Sequence, residues 1–139
     1  TLFPYTTLFR SVFSGALHHK LNYISTGEHY MYFIEDDIIF QDGIVTKTLN
    51  LHTIGQIRVD YINNEIEVQI ASFKNREDWY YDRAEKITGY IFRYEIFDFD
   101  ADPNLIAFRN LISMENSLFY RKEIQKCYDM ETFYNSKEE

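Results

Sequence analysis

The sequence predicts an α+β fold: an antiparallel sheet of two hairpins and one further strand, with one or two C-terminal helices packed on it. Three observations predict this class. Apolar and polar residues alternate through the middle of the chain, aromatic residues make up 18% of it, and helical spacing of apolar residues is found toward the C-terminus. Alternation and large rings favour strands, because such side chains pack well on a pleated surface. Strands followed by helices are typical of α+β domains.

The first predicted hairpin joins Ile38–Gln41 to Ile44–Leu49. Asp42 and Gly43 lie between these two apolar runs. Asp-Gly favours a two-residue hairpin turn, because both turn residues must adopt positive φ. We therefore expect the chain to reverse at Asp42 and Gly43.

The second predicted hairpin shows a more regular alternation. Its strands are Gln56–Tyr61 and Glu65–Ile70, with Asn63 and Asn64 as the loop. This loop places the apolar cross-strand pairs on one face of the sheet, and a buried face is what specifies the register of a hairpin. The predicted pairs are Tyr61–Ile66, Val59–Val68 and Ile57–Ile70. The residues expected to be buried are Ile57, Val59, Val68 and Ile70.

A charged insert, Lys74–Lys86, separates this hairpin from a third predicted strand, Tyr90–Ile96. Asp102 and Pro103 then predict the start of a helix, since aspartate caps free backbone N–H groups and proline suits the first helical position. The apolar stripe of this helix is Leu105, Phe108, Leu111 and Ile112. A second helix is predicted across Leu118–Tyr134, with Tyr120, Ile124, Cys127 and Tyr128 facing inward.

The beginning of the chain has a different character. Thr1–Ser11 resembles the in-frame translation of a DNA sequencing adapter, and we interpret residues 1–11 as an adapter artefact that packs against nothing specific. The first methionine is Met31. Residues 12–30 are an uncertain upstream segment, either read-through or native, because Leu21–Ile24 and His29–Ile34 could each form a strand. Residues 31–139 are expected to form a single α+β domain.

The charge balance and the composition limit the possible partners. The chain has 14 Lys and Arg residues against 22 Asp and Glu residues, a formal net charge of -8. Nucleic-acid binding depends largely on basic side chains that neutralise phosphates, so we do not expect it. No run approaches the roughly 18 apolar residues of a membrane span. The single Cys127 excludes an intrachain disulfide and a multi-cysteine zinc site.

Asp98, Asp100 and Asp102 alternate as the first carboxylates of a calcium-binding EF-hand loop do. That loop also needs glycine at its sixth position and glutamate at its twelfth. This chain has Pro103 and Arg109 at those positions. We therefore interpret the run as the end of a strand followed by a helix cap.

The four histidines are His18, His19, His29 and His52, and no two of them have the i, i+4 spacing of a helical metal site. His52 is expected to be a packed or edge residue rather than a base. No nucleophile elbow organises the serines and histidines, and the glycines form neither a phosphate loop nor a dinucleotide fingerprint. We expect no catalytic residue, no metal and no cofactor, and hence a protein that is not an enzyme.

The candidate interface is the aromatic part of the charged insert. It comprises Arg76, Trp79, Tyr80, Tyr81 and Arg83. Aromatic and arginine side chains are enriched at the centres of protein interfaces, so we expect this segment to contact another protein. The alternative is that Trp79 folds back over the edge of the sheet and belongs to the core.

Several segments resemble short proteins encoded in phage and prophage tail modules. They are Asp42–Val45, Leu51–Ile54, Ile57–Tyr61, Val68–Phe73 and Asn75–Glu77, followed by Phe97–Asp100 and Asn104–Leu111 as the final strand and helix. The resemblance covers about Asp42–Phe119. It implies a virion-associated or tail-associated structural or assembly role, exerted by protein-protein contact. The implied partners are virion components or further copies of this chain, and the implied location is the virion or the host cytoplasm.

Two other interpretations remain open. Tyr32–Gly43 followed by Leu49–Ile54 resembles the opening hairpin of bacterial pleckstrin-homology-like domains, which implies a binding domain. The acidic charge and the aromatic content also fit a small immunity protein that neutralises a toxin. Because Thr1–Ser11 is adapter-like, a signal peptide cannot be assessed.

Overall fold

The computed structural model describes residues 5–7, 30–93 and 101–136. Within these ranges the chain forms six strands and three helices. The strands are β1 (Tyr5–Thr7), β2 (Met31–Asp42), β3 (Val45–Asp60), β4 (Glu65–Phe73), β5 (Lys86–Arg93) and β6 (Gln125–Cys127). The helices are α1 (Arg76–Tyr80), α2 (Pro103–Ser113) and α3 (Met130–Asn135). The predicted α+β class, with an antiparallel sheet and C-terminal helices, is confirmed.

All paired strands run antiparallel, in the order β5-β4-β3-β2-β6. Strand β1 lies off this path and pairs with the last residues of β3, Arg58 to Asp60. Strand β4 pairs with the same residues of β3 from the opposite edge. Strand β1 therefore lies on the same edge of β3 as β2, which pairs with the earlier part of β3. The backbone of Tyr5–Thr7 is therefore part of the sheet. For Tyr5–Thr7, this corrects the expectation that Thr1–Ser11 packs against nothing specific.

The first hairpin is present, but its turn lies one residue later than predicted. Asp42 pairs with Val45, so Gly43 and Ile44 form the two-residue loop. Gly43 has φ +65, a conformation that glycine adopts without steric cost and that a type II′ turn requires at its first loop position. Asp42 stays in the strand, where its carboxylate accepts a hydrogen bond of 2.8 Å from Lys86 Nζ.

The second hairpin has a four-residue turn, Tyr61–Asn64, where a two-residue loop was predicted. Val59 pairs with Ile66, Ile57 with Val68 and Ile54 with Ile70, so the predicted register is wrong by two residues. The shift is even, and side chains alternate between faces with a period of two. The expected buried face is therefore confirmed: Ile57, Val59, Val68 and Ile70 are all 0% exposed.

The longer turn has a local cause in Asp60. The Asp60 carboxylate accepts hydrogen bonds from the backbone N–H of Ile62 at 3.0 Å and of Asn63 at 3.1 Å. It also accepts one of 2.8 Å from the side-chain amide of Asn63. Aspartate commonly stabilises turns in this way. Tyr61, predicted to lie on the buried face, is in the turn and 54% exposed.

Strand β5 begins at Lys86, four residues before the predicted start, and pairs with Glu65 to Ser72 of β4. Its predicted continuation, residues 94–96, lies outside the described residues.

Helix α2 begins as predicted, because the Asp102 carboxylate accepts a hydrogen bond of 2.8 Å from Asn104 N and Pro103 is the first helical residue. Its buried residues are Asn104, Ala107, Phe108 and Leu111, whereas the predicted Leu105 and Ile112 are only half-buried.

The predicted second helix, Leu118–Tyr134, is wrong. A series of turns, strand β6 and the short helix α3 occupy this segment. Arg121 has φ 66, a left-handed conformation that ends regular helical structure. Its backbone N–H donates a hydrogen bond of 2.9 Å to Ile112 O near the end of α2. Tyr128, predicted to face inward, is 61% exposed.

Two hydrophobic clusters make up the core of the part of the chain that the structure describes. The larger one lies between the sheet and α2, which contributes Ala107, Phe108 and Leu111. The smaller one joins the sheet to α1 and α3, and its buried members are Met31, Phe33, Leu51, Ala71, Phe73, Trp79 and Met130. Strand β4 serves both clusters, because its side chains alternate between the two faces of the sheet. It contributes Ile66, Val68 and Ile70 to the first cluster and Ala71 and Phe73 to the second.

Candidate protein-contact site

All five residues of the predicted interface lie on α1 or in the turn that follows it. The side chain of Asn75 begins this helix by accepting a hydrogen bond of 2.8 Å from Asp78 N. Asp82 ends it, with φ 61 and a hydrogen bond of 3.0 Å from its N–H to Trp79 O. The charged insert therefore folds as a short helix and a tight turn between β4 and β5. This arrangement divides the predicted interface into an inner and an outer part.

Trp79 belongs to the inner part, because only 1% of its surface is exposed. Its ring centroid lies 5.5 Å from those of both Phe33 and Phe133. These distances are typical of aromatic pairs in protein cores. The alternative prediction, that Trp79 is part of the core, therefore describes the structure, and Trp79 is not an accessible contact residue.

Arg76 also belongs to the inner part. Its guanidinium donates two hydrogen bonds to the Glu35 carboxylate, at 2.8 and 2.9 Å, and a third to Phe133 O at 3.3 Å. The same group lies 3.9 Å from the centroid of the Phe133 ring. Arg76 thus links α1 to β2 and α3. In this structure the Arg76 guanidinium makes an internal connection, and its side chain is 22% exposed.

The outer part forms the tyrosine cluster, which we define as Tyr80, Tyr81, Arg83 and Tyr134. The rings of Tyr80 and Tyr134 are stacked, with centroids 4.8 Å apart and an interplanar angle of 12°. The Tyr81 ring stands at 88° to Tyr80, at a centroid distance of 5.0 Å. Tyr81 is 54% exposed. These stacked and perpendicular contacts hold three tyrosines together on the surface.

Arg83 completes the tyrosine cluster and is held in place by charge. Its guanidinium lies 5.1 Å from the centroid of the Tyr81 ring. It also donates hydrogen bonds of 3.0 and 2.8 Å to the Asp78 carboxylate. The Arg83 side chain is 55% exposed, so it contacts solvent while its orientation is restricted. A group that is already ordered loses less conformational entropy when a partner binds.

Tyr134 was missed in the sequence because the predicted helix Leu118–Tyr134 gave it no separate role. Asp129 could have predicted the position of Tyr134, because it indicates the start of a new helix. The Asp129 carboxylate accepts hydrogen bonds from the N–H of Thr132 at 2.8 Å and from its hydroxyl at 3.1 Å. Aspartate is a favoured residue at this position before a helix. A new helix beginning after Asp129 would have placed Tyr134 one turn from the first helical residue.

His52 and Ser72 form the pair that most resembles a catalytic arrangement. His52 Nδ1 lies 2.7 Å from Ser72 Oγ, and Nε2 lies 2.9 Å from the carbonyl oxygen of Asp36. A carbonyl only accepts, so Nε2 carries the proton and Nδ1 accepts from the serine hydroxyl. Burial lowers the pKa of His52 below its usual 6.5, which favours this neutral ring. Both residues are 0% exposed, so a substrate cannot reach them, and the pair satisfies buried polar groups.

The described residues contain no group of three or more His, Cys, Asp or Glu side chains that could hold a metal ion. Asp98 and Asp100 of the carboxylate run lie outside the described residues, and Asp102 caps α2. Cys127 lies on β6, where burial raises the pKa of its thiol to about 12. A thiol with so high a pKa is almost wholly protonated at neutral pH, and the protonated form is a poor nucleophile.

No protein-family model matches this chain, and neither a curated protein nor a solved structure matches it. Within the ranges that the structure describes, none of the helices is long and apolar enough to cross a membrane. The geometry of the site is therefore the basis for a functional proposal.

Proposed function

We propose that this protein is a non-enzymatic contact module that binds another protein through the tyrosine cluster. The observation that carries the proposal is the fixed packing of Tyr80, Tyr81 and Tyr134, with Arg83 beside them, on the surface formed by α1 and α3. Tyrosine and arginine are enriched at the energetic centres of protein interfaces. Tyrosine offers a large contact area while few of its torsions have to be ordered.

The core beneath the cluster supports this role. Trp79 and Arg76 join α1 to the sheet and to α3, so that the two helices that carry the tyrosines keep a constant relative position. A rigid surface does not have to become ordered when it binds, and binding therefore costs less free energy. The inner part of the predicted interface thus supports the outer part and does not itself contact the partner.

The biological setting we propose is a phage or prophage virion, in which this chain is a tail-associated structural or assembly module. The resemblance to short tail-module proteins supports this setting. The partners would be other virion components or further copies of the chain, and the location would be the virion or the host cytoplasm. The inaccessible His52 and Ser72 pair and the protonated thiol of Cys127 support a role without catalysis.

The test compares a double variant, Tyr80→Ala with Tyr81→Ala, with a matched control, Tyr128→Ala. Tyr128 is 61% exposed and lies outside the tyrosine cluster. We expect the double variant to weaken self-association or binding to products of neighbouring genes at least tenfold, since truncating an interface hot spot costs about 2 kcal/mol or more. The control should bind as the parent does. Sedimentation velocity measures self-association, and pairwise titration measures binding to each neighbouring gene product.

Two results would contradict the proposal. The first is unchanged association or binding in the double variant, with its circular dichroism spectrum intact. The second is binding of the parent to anionic lipid vesicles that does not depend on the tyrosines, because this would favour a pleckstrin-homology-like binding domain.

A further inference from the structure

A concave surface lies between α2 and the edge of the sheet formed by β2 and β6. It is a shallow depression of about 360 Å³, lined by Tyr32, Leu105, Arg109, Ile124, Gln125 and Lys126. Leu105 and Arg109 are four residues apart on α2 and therefore lie on the same face of the helix. Tyr32 and Lys126 are direct cross-strand partners. The depression is built from regular elements that pack against the core.

Two of the residues that line this depression, Arg109 and Lys126, are basic. Seven other basic side chains of the described residues form an ion pair with a carboxylate. Arg109 and Lys126 form none with any residue that the structure describes, although the formal net charge is -8. Lys126 Nζ instead lies 4.2 Å from the centroid of the Tyr30 ring. Two cations that have no carboxylate partner among the described residues thus meet at one concave site.

The depression also has both polar and apolar lining residues. Tyr32 adds a phenol and Gln125 a carboxamide, while Leu105 and Ile124 add apolar surface. Burial and the nearby Asp102 carboxylate raise the pKa of Tyr32. The phenol therefore keeps its proton at neutral pH and can donate a hydrogen bond. The Asp102 carboxylate itself accepts a hydrogen bond from Asn104 N.

We propose that this depression binds an organic anion: a carboxylate or phosphate group carried on a small apolar body. Arg109 and Lys126 would contact the charged group from opposite walls, with the phenol of Tyr32 as a further donor. Leu105 and Ile124 would pack against the apolar body. The volume is at the lower end of the range of ligand clefts, about 300–1,000 Å³. For a ligand of about ten non-hydrogen atoms we expect a dissociation constant on the order of 1 mM.

The test is a titration of the full chain followed by amide chemical shifts. The probes are phenyl phosphate and phenylacetate, with 2-phenylethanol as the uncharged control. Saturable shifts in residues 105–109 and 124–126 with either anion support the proposal, and the tighter of the two anions identifies the class of ligand. Binding should weaken as salt is added, because exposed charges are screened. Equal binding of 2-phenylethanol, or no saturation by about 10 mM of either anion, would overturn the proposal.

Variants identify the side chains that bind. Arg109→Gln and Lys126→Gln should each weaken anion binding about threefold, as expected for exposed charges. The matched control is Arg121→Gln, which removes an exposed cation beside Tyr120 and should leave binding unchanged. If both Gln variants keep well-dispersed spectra and bind as tightly as the parent, the site is refuted. Tyr80→Ala with Tyr81→Ala should leave anion binding intact, so this proposal and the proposed contact function fail independently.

Discussion

Replacing Trp79 by alanine should destabilise the whole domain, because this side chain joins α1 to the sheet and to α3. It is 1% exposed. A buried tryptophan removes roughly 200 Å² from water, and at about 25 cal/mol per Å² this corresponds to about 5 kcal/mol. The residual compactness of the unfolded chain reduces that figure by roughly 10–40%. We therefore expect a loss of about 3–5 kcal/mol, which agrees with typical costs for truncating a buried aromatic residue.

The measurement is urea unfolding followed by circular dichroism, since the variant lacks the only tryptophan of the chain. A domain of this size has a total stability of about 5–15 kcal/mol, so the loss would be a large fraction of it. Trp79→Phe should lose less, because a smaller ring still fills part of the space. Tyr81→Ala is the matched control, and its stability should change by no more than about 0.5 kcal/mol. A loss of less than about 1 kcal/mol for Trp79→Ala would refute its placement in the core.

Two further predictions concern the sheet. Val59→Asp would place a charge in the larger core cluster and should lower the free energy of unfolding, measured in urea, by at least about 3 kcal/mol. Tyr61→Asp in the exposed turn is the control and should lower it little. Similar losses for both variants would contradict the observed register. Burial lowers the pKa of His52 below the 6.5 of the unfolded chain. As the pH falls below 6.5, the unfolded state therefore takes up a proton before the folded state does. The free energy of unfolding then falls by up to about 1.4 kcal/mol per pH unit. The pKa values of Asp36 and Asp42 are lowered from the usual 3.8, so these two carboxylates affect the free energy of unfolding only at lower pH. His52→Gln should remove this slope between pH 6.5 and 5, and an unchanged slope would show that His52 does not cause it.

The two hairpins could be predicted because their signals are local. Alternation of apolar and polar residues depends only on near neighbours in the sequence, and so does the preference of Gly43 for a turn. The register of the second hairpin could not be obtained in this way. A shift by two residues keeps the same side chains on the same face, so the pattern fits both registers. In the observed register, the Asp60 carboxylate accepts hydrogen bonds within the four-residue turn.

The C-terminal segment shows the opposite case. The apolar spacing of Leu118–Tyr134 fits a helix locally, yet Gln125–Cys127 instead pairs with Met31–Phe33 at the start of β2. These strands are more than ninety residues apart in the sequence. Contacts between distant residues can override local helical preference. No local pattern could predict this pairing.

The candidate site depends both on local sequence and on contacts between distant residues. Composition alone identified the aromatic and arginine residues of the insert as a group suited to contact. It could not decide which of them would be accessible. Trp79 is buried against Phe33 and Phe133, and the guanidinium of the half-buried Arg76 is bound to Glu35 and Phe133. These partners come from β2 and α3, far away along the chain. Local sequence therefore determined the chemistry of the insert and the strands beside it, whereas the packing of distant elements decided which side chains support the core and which remain on the surface.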